Sequence, residues 1–142
     1  MKLKEIMTGS VIKVHPEETV AVAARMLSHY NIGVLPVCDG EGKLCGVVTD
    51  RDLVIRCMAG GRDPRNTAVG DVMTRQVVSV QPEMEVGVAA HLMGRQQIRR
   101  LPVLENGKLC GMVSLADLAA TENGSMDAAD ALTDITANVL KK

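Results

Sequence analysis

The stretch Lys43-Leu44-Cys45-Gly46-Val47-Val48-Thr49-Asp50-Arg51-Asp52-Leu53 returns as Lys108-Leu109-Cys110-Gly111-Met112-Val113-Ser114-Leu115-Ala116-Asp117-Leu118. Each copy holds an apolar run of strand length, a hydroxyl residue, an Asp three places on, and then helix-forming residues. A hydroxyl and an acid at that spacing form a helix cap. Where a strand turns into a helix, free backbone N–H groups face outward, and small anions settle at such ends.

Upstream, Met7-Thr8, Val11, Val14 and Pro16 are matched by Met73-Thr74, Val77, Val80 and Pro82 at a constant offset of 66. The match continues through Val20/Val86, Ala23/Ala89, Ala24/Ala90, Ile32/Ile98, Leu35/Leu101, Pro36/Pro102 and Val37/Val103. The offset then falls to 65, because Asp39-Gly40-Glu41-Gly42 is one residue longer than Glu105-Asn106-Gly107. Most of the chain is therefore an internal duplication.

Each repeat reads as β-α-β-β-α, which gives a mixed α+β fold. Val11–Val14 and Val77–Val80 are β-branched strands closed by Pro16 and Pro82. Val20, Ala23, Ala24 and Leu27 stand at i, i+3, i+4 and i+7, and so do Val86, Ala89, Ala90 and Met93. Leu35–Cys38 and Leu101–Leu104 form a second strand, and a Gly-bearing hairpin leads to a third, Cys45–Val48 or Cys110–Val113. A second helix is expected to start near Asp50 or Leu115. The division is 1–66 for the first repeat with its linker Ala59–Asn66, 67–122 for the second, and 123–142 for a C-terminal tail. Leu3–Met7 is read as opening the first repeat and Val69–Met73 as opening the second. Glu122–Ser125 reads as a break, and Met126–Leu140 as a short helical tail with irregular apolar positions.

The 142 residues suffice for a real core, and 46% hydrophobic residues argue against disorder. A net charge of -1 gives no general attraction to nucleic acid or to anionic lipid. No apolar run approaches the roughly 18 residues of a spanning helix. The charged start Met1-Lys2-Leu3-Lys4-Glu5 lacks the apolar stretch of a signal peptide, so a cytoplasmic location without membrane association is expected. Tyr30 is the only aromatic residue, so the core is aliphatic and no stacking platform for single-stranded nucleic acid exists. Cys38, Cys45, Cys57 and Cys110 have no zinc-knuckle spacing and read as reduced, small core residues that bind no metal. His15, His29 and His91 read as surface residues. No nucleophile–base arrangement or phosphate loop is present in the sequence, so no catalytic residues are assigned and an enzyme fits least.

The ordered set Met-Thr, strand and Pro, Ala-Ala helix, Leu-Pro-Val, and Gly-hydrophobic-hydrophobic-Thr/Ser-x-x-Asp resembles the CBS domain, named for its occurrence in cystathionine beta-synthase. Both copies carry it, over roughly residues 3 to 121, and the chain looks like a stand-alone pair of the kind called a Bateman module. The resemblance implies two repeats packed sheet to sheet about a pseudo-twofold, with two clefts that bind AMP, ADP, ATP or S-adenosylmethionine and regulate a partner. It implies no catalytic cofactor.

Carried over residue by residue, the first cleft takes Val47, Thr49, Arg51 and Asp52, with Val77, Val78, Ile98, Arg99, Arg100, Leu101 and Pro102 from the second repeat. The second cleft takes Met112, Ser114 and Asp117, with Val11, Ile12, Ile32, Gly33, Val34, Leu35 and Pro36 from the first. In this scheme the hydroxyls and helix ends hold phosphate, and Asp52 and Asp117 accept from a ribose diol. The first cleft carries Arg51, Arg99 and Arg100 where the second has Ala116, Gly33 and Val34, so the first is expected to prefer the phosphorylated ligand. Many phosphate-binding members have His-Arg where this chain has Arg99-Arg100.

The resemblance also implies a homodimer, joined through the helices after Thr49 and Ser114, where Leu53, Val54, Met58 and Leu118 are expected to be exposed. The regulated partner is unknown. Two other functions compete with ligand sensing: a structural or interaction module with empty clefts, and a nucleic-acid binder, which the charge and the single aromatic oppose.

Overall fold

The computed structural model describes the backbone of residues 1–121 and 125–140. The break expected at residues 122–124 and the last two residues of the tail lie outside the described residues. Two compact units form, each with its own two-stranded sheet. One is continuous, Ile12–Val77. The other is split, joining Met1–Val11 to the chain from Val78 onward.

The continuous unit contains helix α1 (Val20–Tyr30), strands β1 (Val34–Cys38) and β2 (Leu44–Thr49), and helix α2, which starts at Asp50–Asp52 and runs on as a π-helix over Leu53–Met58. The Thr19 side chain caps α1 by accepting from the Val22 N–H, and Asn31 closes it in the left-handed region. Strands β1 and β2 pair antiparallel, with Val34 opposite Thr49 and Pro36 opposite Val47. The core is aliphatic and includes Val14, Leu27, Leu35, Val37 and Val48.

The split unit repeats the plan with α3 (Val86–Gln96), β3 (Arg100–Glu105), β4 (Lys108–Ser114) and α4 (Leu115–Ala119). It adds α5 (Ser125–Leu140), which packs on α3 and α4. The tail is thus a helix docked on the second repeat. It buries Ala128, Ala131 and Ile135.

The openings of the repeats are exchanged. Val69, Val72 and Met73 are buried in the core of the continuous unit, and Leu3 in that of the split unit. The sequence reading has each segment open its own repeat; in the structure each completes the packing of the other. The bonds are equivalent in the two units. Val69 N–H donates to Glu18 O at 2.8 Å and Gly70 N–H to Pro16 O at 2.9 Å, while Leu3 N–H donates to Met84 O at 2.9 Å and Lys4 N–H to Pro82 O at 3.0 Å. Lys2 and Lys4 both reach Glu83, at 3.0 and 3.2 Å.

This exchange explains the glycine inside the repeated phrase. Thr74 pairs with Val47 through two backbone bonds, 2.8 and 2.9 Å, and Thr8 pairs with Met112 in the same way, at 2.9 and 3.0 Å. A Cβ on Gly46 would overlap the Thr74 carbonyl oxygen; one on Gly111 would come within 2.6 Å of the Met7 sulfur. Only glycine leaves room for the incoming backbone.

The expected first strands, Val11–Val14 and Val77–Val80, are reduced to single parallel bridges, Val14 to Val37 and Val80 to Val103. Prolines account for this. Val14 N–H donates to Pro36 O and Cys38 N–H to Val14 O. The next ladder bonds would need N–H groups from Pro36 and Pro16, which have none. Pro102 and Pro82 stop the second copy alike.

Two further expectations change. Leu53 and Leu118 are buried inside their own units, whereas Val54 and Ile55 are 50% exposed and Met58 70%. Cys38 and Cys57 are buried, but Cys45 and Cys110 are only half-buried; all four are free thiols. Ala90 is buried, while its counterpart Ala24 is exposed.

Candidate functional site

Each unit builds a polar cluster where its second paired strand turns into a helix. In the continuous unit, β2 ends at Thr49, whose Oγ1 accepts from the Asp52 N–H at 3.0 Å while Asp52 Oδ2 accepts from the Thr49 N–H at 3.0 Å. The split unit repeats this capping box with Ser114 and Asp117, at 3.1 and 2.8 Å. Both halves of the repeated phrase therefore satisfy orphan donors at the start of a helix.

Strand pairing sets a second group of expected residues beside each cap. Val34, Leu35 and Pro36 lie opposite Thr49, Val48 and Val47, and Gly33 O accepts from the Asp50 N–H at 3.1 Å. Arg100, Leu101 and Pro102 lie opposite Ser114, Val113 and Met112, and Arg99 O accepts from the Leu115 N–H at 2.8 Å. In each unit, residues assigned by sequence to different clefts thus share one strand pair. Leu35, Pro36, Leu101 and Pro102 are buried. Ile12 and Ile32 pack on the continuous unit's core, and Val78 and Ile98 on the split unit's. Val11 and Val77 are half-buried. Arg51, Arg99 and Arg100 are exposed.

The two Asp residues differ in their surroundings. Asp52 is 8% exposed. Besides capping Thr49, both its oxygens accept from the Thr74 hydroxyl at 3.2 Å, and Arg56 Nε lies 3.8 Å from Oδ1. Arg56 Nη1 also donates to the Val72 and Met73 carbonyls, at 3.2 and 2.8 Å. Asp52 is thus a structural carboxylate that fastens the exchanged Met73-Thr74 segment. The equivalent of Arg56 is Thr121, whose hydroxyl turns to its own Leu118 carbonyl. Among the described residues Asp117 Oδ1 accepts no protein hydrogen bond. Sequence reading missed Thr74 and Arg56. The repeated Met-Thr pair and the i, i+4 spacing of Asp52 and Arg56 were the available signals.

Beside the Ser114 cap lies a cavity of about 570 Å³. Arg99, Arg100 and Ser114 supply its polar side; Leu115, Ala116 and Ala119 of α4 and Ala128, Ala129 and Leu132 of α5 supply the apolar side. Neither arginine has an acidic partner within 4.0 Å among the described residues. Two arginines without a described acidic partner and a hydroxyl residue lining a largely apolar space suit a ligand with an anionic end and an apolar body. A cavity of the same volume in the continuous unit, lined by Arg56, Arg75, Asp71 and Thr74 among others, is mostly polar, and there the Arg56 and Arg75 guanidiniums bond to backbone carbonyls.

Burial pushes the Cys38 and Cys110 thiols above their ordinary range. Among the described residues no group of three or more His, Cys, Asp or Glu side chains could hold a metal ion, and no helix is long and apolar enough to cross a membrane.

Comparison with known proteins gives a consistent answer. The CBS domain family model matches residues 3–58 and 69–123. The chain is 40% identical over 134 residues to the CBS domain-containing protein YhcV of Bacillus subtilis, covering 94% of each. It is 34% identical over 116 residues to hypoxic response protein 1 of Mycobacterium tuberculosis, covering 82% of this chain and 81% of that one. The crystal structure of Hypoxic Response Protein I with two coordinated zinc ions superposes with a TM-score of 0.76 at 33% identity, over 84% of this chain and 97% of that one. The CBS domain pair of protein MJ0100, solved with 5'-methylthioadenosine and S-adenosyl-L-methionine, has a TM-score of 0.72 at 27% identity, over 84% of this chain and 93% of that one. With the repeated phrase, the two caps and these matches in hand, the chain belongs to the CBS domain family and carries two CBS domains in tandem.

Proposed function

We propose that this protein is a ligand-sensing regulatory module that binds an adenosine-containing ligand, of the class AMP, ADP, ATP or S-adenosylmethionine, and passes the resulting change to a partner protein. The observation that carries the reading is the cavity lined by Arg99, Arg100 and Ser114, the last of which shares a capping box with Asp117. Arginine forks and the Ser114 hydroxyl match phosphate oxygens, and a carboxylate matches the two donors of a ribose diol. The chain's likeness to a CBS pair solved with adenosine-derived ligands supports the class. In the continuous unit Asp52 is buried and already holds the Thr49 N–H and the Thr74 hydroxyl, so that half contributes more weakly. The module works without a catalytic cofactor and acts as a homodimer through the exposed Val54, Ile55 and Met58 face of α2.

Calorimetry of the intact chain with AMP, ADP, ATP, S-adenosylmethionine and adenosine tests this. A charge-assisted hydrogen bond contributes about 1.5–3 kcal/mol, so Arg100→Ala is expected to weaken AMP by tenfold or more and leave adenosine nearly unchanged. Asp117→Asn is expected to weaken both. Absence of binding by every compound at millimolar concentration would leave a module that works by protein contacts alone.

A further inference from the structure

The apolar side of the Arg99–Arg100–Ser114 cavity is made in part by a helix that the CBS domain match does not include: the match ends at residue 123 and α5 begins at Ser125. We infer that α5 is a working wall of this ligand site, so that occupancy by a phosphorylated ligand and docking of α5 stabilise each other. The inference rests on the ligand reading above and adds to it the element that the ligand regulates.

Three observations converge. First, Ala128, Ala129 and Leu132 stand at i, i+1 and i+4 on α5 and form one continuous face toward the cavity. They bring no hydrogen-bonding side chain. Their contribution is shape and apolar surface for the body of a ligand whose anionic end meets the arginines.

Second, the seam that fixes this wall is specific to the second repeat. A Cβ on Gly94 would lie 3.2 Å from Ala131 Cα and 3.0 Å from an Asp134 carboxylate oxygen, so α5 approaches α3 at glycine distance. Gln97 Nε2 donates to Asp134 O at 3.3 Å, and His91 lies 4.0 Å from Asp127. The counterpart of Gly94 is Ser28, which is exposed, and no helix follows α2 in the first repeat as α5 follows α4.

Third, the described part of the seam is built from small side chains. The buried α5 side chains described are two alanines and one isoleucine, and both histidine–carboxylate and amide contacts lie at its exposed edge. Helix α5 rests on both α3 and α4, and this packing sets the position of the cavity wall it supplies. A ligand that touches α5 only when it is docked favours the docked state, and by linkage docking tightens the ligand by the same factor.

The test uses the intact chain with AMP as the probe, read by calorimetry and by amide hydrogen exchange. Saturating AMP is expected to slow exchange across residues 126–137 at least threefold. Ala129→Trp, at an exposed position on the helix, fills the cavity from the α5 side; it is expected to keep the wild-type melting temperature in the absence of ligand and to weaken AMP tenfold or more. Gly94→Val, which pushes α5 off α3, is expected to weaken AMP and to speed exchange in α5 without ligand. If AMP binds the wild type, leaves α5 exchange unchanged and binds Ala129→Trp equally well, α5 is not part of the site, while the ligand reading survives. If none of AMP, ADP and ATP binds the wild type, the phosphate reading fails and this inference fails with it.

Discussion

Gly46→Ala is the substitution that most directly measures the exchanged packing. The added methyl would overlap the Thr74 carbonyl oxygen, a backbone atom held by two hydrogen bonds to Val47. Thr74 cannot swing aside as a side chain would. It must retreat and stretch two backbone bonds, each contributing about 1 kcal/mol, and pull on the buried Met73 beside it. Overpacking of this kind costs about 1–3 kcal/mol, so a loss of about 2–3 kcal/mol is expected. For a chain of this size that lowers Tm by about 6–12 °C, or the urea midpoint by about 1 M. Two companions calibrate it. At Gly111 the methyl meets first the Met7 sulfur, at 2.6 Å, and a thioether on three rotatable bonds can yield, so Gly111→Ala is expected to cost about 1 kcal/mol. At Gly40 nothing lies within 4 Å, so Gly40→Ala is expected to fall within about 0.5 kcal/mol of the parent. Urea unfolding followed by circular dichroism ranks the three. The reasoning is refuted if Gly46→Ala matches the parent, or if Gly111→Ala is the more damaging.

Asp52→Ala is expected to destabilise by about 2–4 kcal/mol, because it removes a cap and the anchor of Thr74, whereas Asp117→Ala should cost about 1 kcal/mol for the cap alone; equal losses in urea would contradict the division of roles. With burial raising the Cys38 thiol, iodoacetamide at pH 8 should modify half-buried Cys45 well before Cys38, which peptide mass spectrometry reads directly. Hydrogen bonds from Lys2 and Lys4 hold the Glu83 carboxyl below its ordinary value of 4.5, so its contribution is present above that pH and is lost as pH falls through the lowered value. Glu83→Gln should therefore show a smaller stability difference between pH 6 and pH 3 than the parent, and an unchanged difference would remove Glu83 from the account.

How much of this was legible in the sequence depends on the kind of signal. The duplication, both helix caps and the hairpin strands carry local, periodic patterns, and their positions follow from residue chemistry. The exchange of Leu3–Met7 and Val69–Met73 does not, because a repeat shows which segments are alike and not which core each one enters. The failed first strands were legible in principle: Pro16, Pro36, Pro82 and Pro102 stand where the ladder would need donors. Docking of α5 was hidden because its seam uses Ala128, Ala131 and the notch at Gly94, small residues that barely register as an apolar face. At the site, the Arg99-Arg100 pair and Ser114 could be named from the motif. That they line one cavity came only with the pairing of Arg100 against Ser114.

The traded segments bear on how such a duplication can be inherited. A copy reduced to one repeat would keep a sheet whose glycine is shaped for a backbone it no longer possesses, and a Met-Thr segment with nowhere to lie. Two such single-repeat chains could each lend the other what it lacks, assembling as a reciprocal pair before any linker joined them. Once the two lay on one chain, neither could be deleted without stripping the core of its neighbour, and point changes in either Met-Thr segment would register as damage to the opposite half of the sequence.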